Sequence, residues 1–157
     1  MRDHNAQIVE YIPRLRRYAR ALLKDPDRAE DLLQETLARA LGKFHFWRAG
    51  SNLRAWLFTI MHNQFVNDCR RSNKRPDGRY LDDISGPEAS ACGDAEDYAR
   101  VTDIEAAIMR LPDEQRAVLL LVSLEGLSYA DTARVLGIRK GTVMSRLHRA
   151  RERVRSL

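Results

Sequence analysis

Along the chain, apolar positions recur every three or four residues, and nowhere do they alternate over the length of a strand. Ile8, Ile12, Leu15, Tyr18, Ala19 and Leu22 keep helical spacing. Pro13 falls inside that run, so a short helix should precede it and a second should begin at the proline, whose ring removes a backbone donor. Asp25-Pro26 reads as an N-cap followed by proline in the first turn. The helix it opens has Ala29, Leu32, Leu33, Thr36, Leu37, Ala40 and Leu41 as its apolar face, and Gly42 is expected to end it. Lys43 to Gly50 reads as a loop rich in aromatic residues: Phe44, Phe46 and Trp47. Ser51 or Asn52 then caps a long helix to about Arg71, with Leu53, Trp56, Leu57, Ile60 and Met61 as its buried stripe. Further on, Val101 to Met109 is helical, Leu111-Pro112-Asp113 restarts a helix, and Leu119 to Leu124 is a buried apolar run.

The segment from Gly126 to Arg149 carries a denser pattern. Ser128 caps a helix with Asp131 three residues on, close to a capping box. Ala133 is small where two helices approach, Gly137 supplies a turn, and Ile138 and Val143 anchor the next helix. This is the grammar of a helix-turn-helix. Its second helix should present Lys140, Thr142, Ser145, Arg146 and Arg149 outward, residue types suited to base edges and phosphates in a major groove. The bland alternative is a solvated charged face, but the small residue, the turn glycine and the basic surface coincide here.

Charge divides the chain. Its 157 residues carry 27 Lys and Arg against 22 Asp and Glu, a net +5 that permits a polyanion partner without demanding one. The surplus is concentrated after Gln64, in Arg70, Arg71, Lys74, Arg75 and Arg79, and again from Arg134 to the end. Between them, Asp82 to Glu105 is acidic, contains Gly86-Pro87 and Gly93, and has few large apolar residues with which to build a core. The expected architecture is therefore all-α: two small helical domains, residues 1–72 and 100–157, joined by an acidic flexible linker over 73–99. Such a linker could also shield the basic faces through Asp82, Asp83, Glu88, Asp94, Glu96 and Asp97.

Other functions find little support. Cys69 and Cys92 form no CxxC pair, and His4, His45, His62 and His148 are scattered, so neither a metal site, a cofactor nor a catalytic centre is expected. No apolar run approaches the roughly 20 residues of a membrane span, and the N-terminus does not read as a signal peptide. A cytoplasmic protein is expected.

The combination resembles the extracytoplasmic-function sigma factors, of the sigma-70 family. Asp27-Arg28-Ala29-Glu30-Asp31-Leu32-Leu33-Gln34-Glu35-Thr36 resembles the signature of their second conserved region, and Asn52 to Ile60 the helix that faces the melted promoter. Leu111-Pro112-Asp113-Glu114-Gln115-Arg116 and the helix-turn-helix resemble the fourth region. Two signatures in this order cover nearly the whole chain outside the linker. The opening Ile12 to Arg20 is most similar to the general-stress sigma factors of alphaproteobacteria.

The resemblance implies a noncatalytic factor that gives core RNA polymerase its promoter specificity. It would dock on the β′ clamp helices and the β flap, meet double- and single-stranded promoter DNA, and be held inactive by an anti-sigma factor. Asp31, Gln34 and Glu35 would face the clamp helices. Trp47 would help capture a base flipped from the −10 element, with Asn63 in the same pocket; for Trp47 a plug beneath the loop is an equal reading. Arg70, Arg71, Lys74 and Arg75 would hold phosphates, while Ser145, Arg146, His148 and Arg149, with Lys140 and Thr142, would meet the −35 element. Met144 departs from the family pattern, which often has Lys or Arg there. The rival reading is a stand-alone helix-turn-helix regulator that binds a duplex operator by itself.

Overall fold

The computed structural model describes residues 4–48, 50–74 and 95–156. They form α1 (His4–Val9), α2 (Ile12–Leu22), α3 (Pro26–Lys43), α4 (Leu53–Lys74), α5 (Ala95–Met109), α6 (Asp113–Leu119), α7 (Tyr129–Leu136) and α8 (Lys140–Arg155), with no strand among the described residues. Local chemistry sets most of the boundaries. Pro13 lies in the first turn of α2. The Asp25 carboxylate accepts from the Asp27 amide at 2.9 Å to open α3, and the Asn52 side chain accepts from the Ala55 amide at 3.2 Å at the start of α4. The Ser128 hydroxyl caps α7 by accepting from the Asp131 amide at 3.0 Å. Gly137 closes that helix in the left-handed region, at φ 65° and ψ 35°, a conformation that glycine adopts without steric cost.

Some boundaries differ from expectation. Gly42 does not end α3: the helix runs through it to Lys43 and passes into a 3₁₀ turn, Phe44–Phe46. Leu41, expected on the apolar face, is 52% exposed, because the buried side of α3 ends at Ala40. The run after α6 winds into a π turn, Leu120–Leu124, which buries Leu120 and Leu121 while leaving Ser123 exposed. Asn73 and Lys74 extend α4, and Ala95–Ala99 already belong to α5, so both ends of the expected linker are helical. Residues 75–94, with Arg75 and the acids Asp82, Asp83, Glu88 and Asp94, lie outside the described residues, as do the side chains of Glu96 and Asp97.

The two helical halves close against each other, an arrangement the sequence left open. Leu15, Tyr18 and Leu22 of α2, Leu32 and Leu33 of α3, and Leu57, Phe58 and Met61 of α4 share one apolar cluster with Leu120, Leu121, Leu127 and Val135. The Tyr18 and Phe58 rings meet edge to face, centroids 5.2 Å apart. A second cluster, Val118, Val143 and Leu147, fixes α8 to α6.

One buried guanidinium stands at the seam between the halves. Arg116 of α6 is 6% exposed. It donates to the Leu22 carbonyl at 3.0 Å, to the Leu111 and Met109 carbonyls at 2.8 and 3.4 Å, and to the Asp113 carboxylate at 2.6 Å. The last carbonyls of a helix have no partner within it, and a cation there also meets the negative end of the dipole. Arg116 thus serves the C-terminal ends of both α2 and α5. Nearby, buried Glu125 pairs with Arg17 at 3.3 Å, its own carbonyl accepts from Arg54 at 3.2 Å, and Asn52 donates to Asp131 at 3.2 Å. The Asp131 carboxylate therefore turns to α4, not back to Ser128, and only half of the expected capping box forms.

Candidate nucleic-acid interface

Three helix faces and one aromatic loop carry the residues singled out in the sequence. On α3, buried Ala29, Leu32, Leu33, Thr36 and Ala40 turn one side inward, so Asp31, Gln34 and Glu35 all project to solvent. Gln34 donates to Glu30 at 3.3 Å, and Glu30 takes two bonds from Arg16, both 3.2 Å. Arg16 is the chief reason the Glu30 carboxyl sits below the ordinary glutamate range. Glu35 pairs with Arg39 one turn on, at 3.1 Å. The face is acidic, polar and preset by its own ion pairs.

On α4 the periodicity puts Asn63, Asn67, Arg70 and Arg71 within one angular sector of the helix. Asn63, Asn67, Arg70 and Arg71 are exposed. The opposite side buries Leu57, Phe58, Met61 and Phe65. Lys74 closes the helix, and Arg75 falls outside the described residues.

The aromatic loop sorts its rings. Phe44 is buried, with Trp47 at 5.2 Å on one side and Trp56 at 6.0 Å on the other. Trp47 is half-buried, and its indole nitrogen is enclosed without a hydrogen-bond partner among the described residues. It borders an open cavity of about 680 Å³ with Gln7, Glu10, Tyr11, Asn52 and Leu53. Asn63 stands ten residues beyond Leu53, about 15 Å along the helix axis, so the structure does not place Asn63 at that cavity. The ring left in solvent is Phe46, 73% exposed and tilted against His45 at 4.0 Å. The sequence reading passed over Phe46; its place beside Trp47 in an aromatic-rich loop was the available signal.

On α8, Val143, Leu147 and Ala150 face inward. Lys140, Ser145, His148 and Arg149 are exposed, as expected. Two others correct the outward strip. Thr142 is half-buried, and Arg146 has only 25% of its side chain exposed, in an ion pair with Glu114 of α6 at 3.5 Å. Arg146 lies one residue from the inward-facing Leu147, so its stem runs over the seam between α8 and α6. Its charge reaches His62 of α4. Burial first, and then Arg146, lower the His62 pKa to about 4.

No helix among the described residues is long and apolar enough to cross a membrane, and among them no cluster of His, Cys, Asp or Glu could hold a metal ion.

Comparison with known proteins accounts for both halves. Residues 8–62 match the sigma2 domain of PhyR, and residues 102–154 match sigma-70 region 4. The chain is 40% identical to the ECF RNA polymerase sigma factor EcfG of Rhodopseudomonas palustris over 153 residues, 96% of this chain and 82% of that one. It is 36% identical to the ECF RNA polymerase sigma factor SigM of Mycobacterium tuberculosis over 143 residues, 91% of this chain and 70% of the relative. Among solved structures, it is similar to the sigma factor RpoE of Bartonella quintana in complex with the anti-sigma factor NepR. That match has a TM-score of 0.85 and 33% identity over 99% of this chain and 96% of the other. Both regions in the same order, over nearly the full length of these relatives, place the chain in the family of extracytoplasmic-function RNA polymerase sigma factors.

Proposed function

We propose that residues 1–72 bind core polymerase and the −10 element, residues 100–157 read the −35 element, and 73–99 connect them. The observation that carries this reading is the separation of an acidic face on α3 from basic faces on α4 and α8. Asp31, Gln34 and Glu35 meet the β′ clamp helices, while the C-terminal half meets the β flap. Phe46, backed by Trp47, takes an unstacked base, and Asn63 bonds a base edge. Stacking of this kind is worth roughly 1–3 kcal/mol per base. Arg70, Arg71, Lys74 and Arg75 neutralise phosphates, a contribution that weakens with salt. Lys140, Ser145, His148 and Arg149 enter the −35 major groove, with Thr142 and Arg146 at its edge. The chain catalyses no step itself. It captures an open duplex already present at low population, in the cytoplasm, at stress-response genes.

The closed packing bears on this reading. Elements centred about 25 base pairs apart are roughly 85 Å apart along B-form DNA, whereas a folded chain of this length has a radius of gyration of about 15 Å. The halves must therefore part on polymerase, breaking the Arg116–Leu22, Arg17–Glu125, Arg54–Glu125 and Asn52–Asp131 contacts. An anti-sigma partner, of the kind seen on the Bartonella quintana relative, keeps polymerase away by holding this closed form.

Run-off transcription from a pooled promoter library, with bacterial core polymerase and with or without this chain, tests the reading. Chain-dependent transcripts that share a two-part upstream motif are expected. No such transcripts, together with tight binding of the chain alone to one duplex site, would mark a conventional regulator.

A further inference from the structure

Four side chains on the outward strip of α8 follow helical spacing: Met144, Ser145, His148 and Arg149. Three are polar or charged. The fourth, Met144, is 52% exposed, and it is the large apolar side chain that α8 leaves in solvent among its described residues. Its surroundings are basic. Lys140, Arg146, Arg149, Arg151, Arg153 and Arg155 share the helix with Glu152 as the one acid. Val143 and Leu147, its neighbours on the inward side, form the seam with Val118, while Met144 stands at the rim of a shallow cleft beside Tyr129 and His148, with half of its surface in solvent.

A basic strip favours a polyanion, and the one apolar group that duplex DNA presents in its major groove is the 5-methyl of thymine. The N-terminal half of a recognition helix is the part that reaches base edges, and Met144 is the fifth residue of α8. An unbranched thioether is flexible enough to lie against a methyl without demanding one fixed geometry.

We propose that Met144 is a specificity-determining residue of this chain. It reads one thymine by contact with its 5-methyl group, beside the polar contacts of Ser145, His148 and Arg149. This rests on the reading of α8 as the −35 helix and deepens it, by naming a base and the atom through which that base is recognised.

The test uses holoenzyme assembled from this chain and bacterial core polymerase, on a promoter recovered from the pooled library. Each thymine of its upstream element, on either strand, is replaced in turn by uracil, which deletes the methyl group alone. Initiation is compared for the natural chain and for Met144→Ala, whose folding is checked by thermal melting. For the natural chain, uracil at one position should lower initiation about three- to fivefold, the scale of one buried methyl group. In Met144→Ala the difference between thymine and uracil at that position should vanish, while effects elsewhere persist. Indifference of the natural chain to every uracil overturns the proposal. So does undiminished discrimination in Met144→Ala, or an upstream element built only of G·C pairs. A scrambled upstream element separates the two levels: initiation unaffected by scrambling removes the −35 reading itself, whereas initiation lost on scrambling but blind to uracil removes only the role of Met144.

Discussion

Replacing Arg116 by alanine should cost this protein a large share of its stability. The guanidinium is 6% exposed and donates to three carbonyls, those of Leu22, Leu111 and Met109, and to the Asp113 carboxylate. Asp113 keeps about half of its side-chain surface in water, so it rehydrates when its partner is removed. The Leu22 and Leu111 carbonyls are at buried bonds and do not. Each unsatisfied buried acceptor costs roughly 1–3 kcal/mol, and loss of the packed side-chain stem adds to this, giving about 3–5 kcal/mol for Arg116→Ala. That is a large part of a total that is about 5–15 kcal/mol for ordinary domains. Urea unfolding followed by far-ultraviolet circular dichroism reads the difference as a shift in midpoint. Arg116→Met keeps most of the volume but leaves the same carbonyls unpaired, so it should recover little. Arg116→Lys, with one compact ammonium in place of a fork, should fall between the two. A loss under about 1 kcal/mol in Arg116→Ala, or full recovery in Arg116→Met, would refute the view that hydrogen bonding across the seam, and not bulk, is the function of this side chain.

Three further outcomes follow from individual sites. His62 has its pKa lowered to about 4 by burial and by Arg146, whereas in the unfolded chain it titrates near 6.5; stability is therefore unaffected above that pH and falls as pH drops towards 4, by up to about 3 kcal/mol. Chemical denaturation across that range should show a shallower acid limb in His62→Gln. Gly137→Ala should destabilise by about 1–2 kcal/mol through backbone conformation alone, since φ is +65° and an added Cβ meets nothing within 4 Å; thermal melting measures it. Phe46→Ala should leave stability within about 0.5 kcal/mol because the ring is 73% exposed, while permanganate footprinting of the open promoter should show reduced melting. Unchanged melting would shift base capture to another residue.

Much of this protein was legible in its sequence because local chemistry specifies it. Asp25, Asn52 and Ser128 cap the helices they precede, and Gly137 takes the left-handed turn it was expected to make, since each acts within three residues of itself. The apolar stripe of α3 as far as Ala40 marked its inward face, and so the outward one with Asp31, Gln34 and Glu35, because helical spacing ties one to the other; on α4, Leu53, Leu57 and Met61 are buried as expected, whereas Trp56 and Ile60 are only half-buried. What needed the tertiary structure were contacts between residues distant in the chain. Whether Gly42 ends a helix depends on how Phe44 packs against Trp47 and Trp56. Which aromatic ring of the loop stays in solvent depends on the same packing, and it left Phe46 outside and Trp47 half-covered. Arg116 reads as a surface charge until the C-terminal carbonyl of α2 is brought to it across 94 residues of chain. Arg146 reads as a fully outward side chain until Glu114 stands beside it. Capping and periodicity are properties of a segment; burial of a particular side chain is set by whichever segment packs against it, and no local pattern records that.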